Sequence, residues 1–531
     1  MKLQKITIQH YRSIEYVNIS FPEKKPIILF GPNNAGKSNI LSAINRLLGD
    51  RHPSYIEMLD SDYFMRNKNM YPTTDIEAEF DEPLYYDNYN KGQAIVAVRY
   101  GNDENILHDG TGKKIYPSSE QRKNCQSYLI DAERNIQSAF NYSSQYSLLS
   151  KFSKKIHEAL STEHKGELST AFNQIKGAFE KTTEFSSFFE EFSNSLVGSV
   201  KGFVHSLAVD FSAYDPNNYA KSMRIFAKEG DNIRGFEEFG TGEQQVLLMA
   251  FVKAYMQTFS SENFILVIEE PEAHLHPLAQ KWLKEYISEI CKAGVQVIIS
   301  THSADFIDTE FLEGLVRVYK EKGITKTIQL SKEDLCSYCT SLGVPKETTK
   351  PENIVEFYST KLFPDQLKGM FAEKIILVEG ETEYFAIPEY FKKEKYSLSE
   401  HGIEIVNCRS KSSIPLFWRL FKAYGYSCYA IFDCDKNPKE TSKIFSGLIS
   451  RTEWTTEDND YCIENNYAFW GKDFETYFRS NNPEYSEIES KITKEYHITS
   501  KPGKAKAVAQ HTNYNISCIT KIIEKLNNLH D

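Results

Sequence analysis

The segment Gly31-Pro-Asn-Asn-Ala-Gly-Lys-Ser38 constrains this chain more than any other. An apolar run, Pro26-Ile-Ile-Leu-Phe30, precedes it, and Asn39–Leu48 carries apolar residues at helical spacing. Strand, glycine-rich turn and helix in that order read as a phosphate-binding loop. Glycines let backbone N–H groups close around phosphate oxygens, and the helix N-terminus adds partial positive charge. The reading assigns Gly31, Asn34, Gly36, Lys37, Ser38 and Asn39 to a bound nucleotide. Lys37 is expected on the β- and γ-phosphates and Ser38 on Mg²⁺.

Two later segments extend this reading. Phe264-Ile-Leu-Val-Ile268 is a buried-strand pattern ending in Glu269-Glu-Pro-Glu272. Carboxylates at the C-terminal end of a parallel strand lie where open α/β sheets hold ligands. Glu269 is expected to support the Mg²⁺ shell, and Glu270 to orient or activate the attacking water. Val295–Ile299 repeats the strand pattern and leads into Ser300-Thr-His302-Ser303, which makes His302 a candidate γ-phosphate sensor.

At 531 residues the chain is long enough for two to four domains. Its 62 Lys and Arg against 73 Asp and Glu give a net charge of −11. That excludes holding nucleic acid by bulk positive charge and leaves only local basic patches. The apolar runs are far too short to span a membrane. Met1-Lys-Leu-Gln-Lys5 leads straight into an alternating strand pattern, so a soluble, non-secreted, cytoplasmic protein is expected. The nine cysteines are scattered and odd in number, which favours reduced thiols over a disulfide framework. Cys336 and Cys339 are the one close pair, without further zinc ligands nearby.

The fold class expected is α/β throughout. Strands are expected at Ile76–Phe80 and Ala94–Tyr100, and residues 1–335 form the first domain. Within it, about 135–210 reads as an amphipathic helical insert, with Leu148, Phe152, Ile156, Leu160, Phe172, Ile175, Phe179, Phe188 and Phe189 near helical intervals. Residues 336–370, with Pro345, Pro351 and Pro364, read as a connector. From 371 to 531 strand and helix alternate again, as in a second parallel α/β domain.

That second domain carries its own acids. Glu379 ends the strand pattern that begins at Ala372 and runs to Val378, and Glu383 falls on the first helical turn, able to return to the same edge. Cys428–Phe432 is another buried strand, capped by Asp433-Cys-Asp435. Strand alternation is expected to point Asp433 and Asp435 to one side. Four carboxylates on neighbouring strand ends call for cations, and all-oxygen ligands select Mg²⁺ or Mn²⁺.

These motifs carry a resemblance. Gly31–Ser38, Phe239-Gly-Thr-Gly-Glu-Gln-Gln245, Ile265–Pro277 and Thr301-His-Ser303 resemble the Walker A, signature, Walker B with D-loop and switch-histidine elements of ABC-type ATPases of the SMC/RecF/OLD branch. The resemblance implies two heads sandwiching ATP, with Thr241 and Gly242 of one facing the phosphate loop of the other. It therefore implies a homodimer or larger homo-oligomer. Gly240 stands where that family's signature carries a serine, and Thr241 offers a hydroxyl beside it. Phe371–Glu383 resembles the Toprim domain of OLD nucleases, and the order, ATPase first and Toprim second, is theirs as well.

The likeness implies a two-metal site completed by a further acid, Glu475, and a lysine, with Lys501 and Lys504 as the two candidates. Arg409-Ser-Lys-Ser-Ser413 stands where a glycine-containing turn is expected, with Lys411 and the hydroxyls available to a phosphate. The helical insert corresponds to a dimerisation element in such proteins, while its Phe-rich stripe also suits internal core. Five lysines in 497–531 offer either a DNA-backbone contact or a solvated helix face.

The expected function is an ATP-hydrolysing, Mg²⁺- or Mn²⁺-dependent DNA endonuclease. It would use one metal with ATP and two at the Toprim site, and Glu379, Asp433 and one of the two lysines in catalysis. Kinship implies prokaryotic antiphage defence, with a sensor or regulator from the same operon and no membrane partner. The rival is an SMC/RecF-like DNA-binding or scaffolding protein with a silent Toprim fold.

Overall fold

The computed structural model describes residues 1–49, 51–83, 94–101, 104–117, 121–122, 125–130, 148–188, 190, 226–229, 232–235, 238–258, 264–273, 275–451, 453–514 and 516–529. They form two compact units, residues 1–129 with 263–531, and residues 130–262.

The larger unit is built on two sheets. The first contains β1 (Leu3–Tyr11), β2 (Ile14–Ser20), β3 (Ile27–Phe30), β4 (Thr74–Phe80), β5 (Ile95–Gly101), β6 (Glu104–His108) and β7 (Gln126–Ile130). A separate hairpin, β8 (Phe226–Glu229) with β9 (Asn232–Gly235), belongs to the smaller unit. The first sheet is completed by β10 (Phe264–Glu269), β11 (Gln296–Thr301), β12 (Leu315–Glu321) and β13 (Ile324–Gln329). Its order is β6-β5-β4-β1-β2-β13-β12-β3-β11-β10-β7.

Its two halves differ as their sequences do. β4 alternates buried and half-buried residues, as an antiparallel strand with one covered face does. β3 is buried along its whole length. It runs parallel to β11 and β12, with Ile28 opposite Ile299 and Leu315. The helix Lys37–Leu48 seals it with Ile40, Leu41, Ile44 and Leu47. Each such side chain contributes about 1.5–3 kcal/mol by leaving water.

Gly31 and Gly36 are fixed by space as well as by phosphate chemistry. Both have positive φ, 143° and 112°. A Cβ on Gly31 would sit 2.0 Å from the Val318 carbonyl oxygen, and one on Gly36 would sit 2.2 Å from Thr325 Oγ1. The loop therefore lies directly against β12 and β13, and only glycine fits there.

The second sheet holds β14 (Lys374–Val378), β15 (Ile403–Asn407), β16 (Ser427–Asp433), β17 (Tyr461–Ile463) and β18 (Tyr467–Trp470), in the order β15-β14-β16-β18-β17. All neighbours are parallel except β17 with β18. Ile376, Val378, Tyr429, Ile431, Phe391, Phe478 and Val508 share its core. The two sheets touch where the first ends and the second begins. Phe30 meets Tyr424 and Phe371 edge-on, at 5.8 and 6.3 Å between ring centroids. Buried Arg317 donates to the Tyr424 carbonyl at 2.7 Å and lies 3.6 Å over the Tyr426 ring.

Residues 336–370 are more structured than a plain connector. Helices span Lys332–Ser341, Pro351–Ser359 and Pro364–Leu367. Pro351 and Pro364 open helices, where a missing N–H costs nothing, instead of breaking them. All nine cysteines are free, eight of them buried, and Cys339 Sγ lies 3.7 Å from Tyr358 Oη.

In the smaller unit, helices Leu148–Ala159 and Thr162–Glu180 fall on the expected helical stretch. Phe152 packs on Phe251, whereas Ile156, Ile175 and Phe188 are exposed. The side chains of Phe179 and Phe189, and residues 131–147 and 191–225, lie outside the described residues. Among the described residues no helix is long and apolar enough to cross a membrane.

Candidate active sites

Parallel pairing of β3, β11 and β10 brings their C-terminal ends to one edge. Gly31–Ser38, Glu269–Glu270 and His302 leave the sheet there. Ser38 Oγ donates to Glu269 Oε1, joining the two expected Mg²⁺ ligands directly. Lys37 is buried and curls back on its own loop, donating to the carbonyls of Gly31 and Pro32 at 2.9 and 3.0 Å. Burial lowers its pKa to about 8, against the opposing pull of Glu270, Glu272 and Glu269. An anion arriving at the loop restores the charge that burial disfavours.

Glu270 takes a left-handed backbone, φ 46°, directly after β10. A non-glycine residue held there is strained, as groups at functional sites often are. His302 Nε2 lies 3.5 Å from Glu270 Oε1, and the His302 N–H donates to Glu272 Oε1 at 2.5 Å. Burial, helped by the Lys37 charge, lowers the pKa of His302 and favours a neutral imidazole. Burial raises that of Glu272.

Asn34 has φ 62°, and its side-chain oxygen accepts from Lys320 at 3.3 Å. Asn39 serves the loop's frame, donating to Ser13 Oγ at 2.8 Å and accepting from Arg12 at 3.3 Å. Thr241 and Gly242 open the helix Thr241–Thr258 in the smaller unit, and the Gly240 N–H there donates to Glu243 at 3.2 Å.

In the second sheet the acids converge on the ends of β14 and β16. Glu379 Oε2 accepts the Asp433 N–H at 3.1 Å, across two paired strands. Glu383 caps its own helix by accepting the Gly380 N–H at 3.1 Å, and is 4% exposed. Asp433 Oδ1 accepts the Phe474 N–H at 3.0 Å. Glu475 is buried one residue further on, in the first turn of Phe474–Asn481.

Of the two candidate lysines, Lys501 is the one at the cluster, 2.9 Å from Glu475 Oε2. Lys504 faces Glu489 instead, at 3.7 Å. Asp435 does not share a face with Asp433 through strand alternation. β16 ends at Asp433, and Asp435 turns outward at φ 54°. It is held there by buried Lys411, whose ammonium also donates to the Asp433 carbonyl at 2.8 Å.

The electrostatics follow from crowding. Burial pushes Glu383 up to about 7, and Glu475 and Glu379 push it the same way. Burial raises Asp433 well above the carboxylate range, and Glu383, Glu379, Glu475 and Asp435 add to the rise. Burial raises Glu379 too. Among the described residues no group of three or more His, Cys, Asp or Glu side chains is arranged as it stands to hold a metal ion. The chemistry of the donor set nonetheless suits a hard cation: oxygen ligands alone, on adjoining strand and helix ends.

Residues 1–125 and 85–307 match the AAA ATPase domain family. The chain belongs to that family. In this AAA ATPase, residues 370–435 match the Overcoming lysogenization defect protein-like TOPRIM domain, and they include Glu379, Glu383, Asp433 and Asp435. Among curated relatives, an OLD nuclease of Thermus scotoductus is 24% identical over 458 residues, covering 82% of each chain. The Old nuclease of Escherichia phage P2 is 27% identical over 227 residues, 40% of this chain and 36% of its own. A solved SMC head bound to the C-winged helix domain of ScpA is 19% identical, with a TM-score of 0.40, covering 62% of this chain and 98% of that one. An ATPase domain followed by a TOPRIM domain implies the use of a nucleotide and a divalent metal.

Sequence reading missed Glu272 and Arg12 and gave Lys411 only a loose role. Glu272 had a signal, its place in Glu269-Glu-Pro-Glu272 beside a candidate histidine. Arg12 had none, since its partners Asn39 and Asp62 lie 27 and 50 residues away in sequence.

Proposed function

We propose that this chain binds and hydrolyses ATP and cuts DNA with the help of divalent cations. What carries the reading is the cluster of buried Glu383, Asp433 and Glu475 with half-buried Glu379, and Lys501 beside it, in a chain that also holds a complete phosphate-binding loop. Ser38 and Glu269 would hold the Mg²⁺ that accompanies ATP, and Glu379, Glu383, Asp433, Asp435 and Glu475 would hold Mg²⁺ or Mn²⁺ at the TOPRIM site. Bound there, the cations supply Lewis-acid stabilisation of the attacking and leaving oxygens of a phosphodiester.

The chain's own groups do the rest. Lys501 places an ammonium where negative charge builds on the phosphate. Glu270 orients the water facing the γ-phosphate, and His302, tied through its backbone to Glu272, reads that phosphate. Lys37 neutralises the phosphate oxygens as ATP enters. The same proposal includes a cytoplasmic homodimer in which Thr241 and Gly242 of one copy meet the nucleotide of the other. Antiphage defence under a regulator from the same operon completes it.

A plasmid-nicking assay with Mg²⁺ or Mn²⁺ tests this. Wild type is expected to nick, Glu379→Ala and Asp433→Ala to lose at least about 100-fold, and Lys37→Ala to lose ATP hydrolysis. No cleavage by wild type, or equal cleavage by the two acid variants, favours an ATP-dependent DNA scaffold instead.

A further inference from the structure

The loop after β15 carries an arginine in a conformation that favours glycine. Arg409 has φ 66°, and its N–H donates to Asn407 Oδ1 at 2.8 Å. The side chain is exposed and lies over the Phe363 ring, 3.8 Å from its centroid, and Phe363 is itself 43% exposed. One buried side chain ties the pair together. Gln366 Oε1 accepts the Phe363 N–H at 3.0 Å, and Gln366 Nε2 donates to the Asn407 carbonyl at 2.9 Å. An aromatic platform and the backbone beneath the arginine are thus held in register.

The pair stands on the catalytic edge. Asn407 lies opposite Val378, the residue before Glu379, and the Cys408 N–H donates to the Val378 carbonyl at 2.9 Å. Two residues past Arg409, Lys411 reaches Asp433 and Asp435. The nearby acid, Asp365, is exposed and paired with Lys368 at 2.8 Å, while Arg409 lies over the Phe363 ring.

We infer that Arg409, braced on Phe363, grips a backbone phosphate of the DNA strand beside the bond to be cut. Stacking on the ring fixes the guanidinium plane and leaves its N–H edge for two phosphate oxygens. A glycine would satisfy the turn more cheaply, and what it would lack is this charge. The inference rests on the nuclease reading for its substrate. It is separate from the carboxylate chemistry.

Arg409→Gly is the decisive variant, because glycine suits φ 66° and leaves the fold undisturbed. Binding of a fluorescent DNA duplex by the full chain in EDTA is followed by anisotropy across salt concentrations. Arg409→Gly is expected to bind about 5–10-fold more weakly, with the slope of log Kd against log salt reduced by about one. Phe363→Ala shifts affinity the same way, and Arg409→Lys recovers the slope but not the full affinity. In plasmid nicking KM rises while kcat and ATP hydrolysis stay near wild type.

Wild-type affinity and slope in Arg409→Gly overturn the inference, as does a wild type that binds no duplex. Wild type that binds DNA through Arg409 yet never nicks overturns the nuclease reading alone.

Discussion

Glu383→Gln tests whether the TOPRIM acids are a standing electrostatic cost. Burial and the neighbouring Glu475 and Glu379 carry Glu383 up to about 7, from 4.5. A carboxyl with a raised folded-state pKa binds its proton more tightly when folded. Its contribution is therefore fully present below about pH 4.5 and is lost as pH rises through about 7. At pH 8 the cost amounts to about 3 kcal/mol, shared with the other members of the cluster. Glutamine keeps an oxygen for the Gly380 N–H, now bonded at 3.1 Å, and cannot ionise.

Thermal or urea unfolding of the full chain in EDTA, at pH 5.5 and pH 8, reads the effect. Wild type is expected to be less stable at pH 8, and the variant to narrow that gap and exceed wild type at the higher pH. Added Mg²⁺ should raise wild-type stability at pH 8 more than that of the variant, since the ion then offsets a charge the variant lacks. A variant less stable than wild type at pH 8, or one with an unchanged pH gap, refutes the reasoning.

Gly36→Ala should impair nucleotide binding through packing, because the new methyl would lie 2.2 Å from Thr325 Oγ1, which itself holds the Ala35 carbonyl at 2.8 Å. ATP-dependent thermal stabilisation should be lost and only partly recovered by adding Thr325→Ala, since the left-handed φ of 112° remains. Arg317→Ala should destabilise the larger unit by about 2–3 kcal/mol, by stranding the Tyr424 carbonyl and uncovering the Tyr426 ring. Arg317→Met, which refills the volume, should recover part of this in urea unfolding.

The central strands and the acids at their ends were legible because sheet geometry is short-ranged. Phe264–Glu269, Lys374–Val378 and Ser427–Asp433 are largely apolar runs whose ends are set by the next polar residue, so Glu269, Glu379 and Asp433 could be placed by counting. That reasoning stopped where the strand stopped. Asp435 was assigned a face by alternation, but two residues past Asp433 a left-handed turn has already replaced the pleat. The prolines at 351 and 364 open short helices within the connector, since one residue type opens a helix or ends one according to position.

The cations were the less legible half of the site, because their places are set by elements far away in sequence. Lys501 and Lys504 sit less than one helical turn apart, so on spacing alone either could serve. The choice depends on which face of Lys501–His511 meets the helix beginning at Phe474, and Glu475 takes Lys501 while Glu489, on the intervening helix, takes Lys504. Lys411 and Arg409 are placed by the β15 loop, whose path depends on Gln366 some forty residues earlier. A net charge of −11 therefore carries little information about the local charge at the site. The buried acids at this edge account for part of the surplus, and the cations Lys411, Lys501 and Arg409 stand on the same edge beside them.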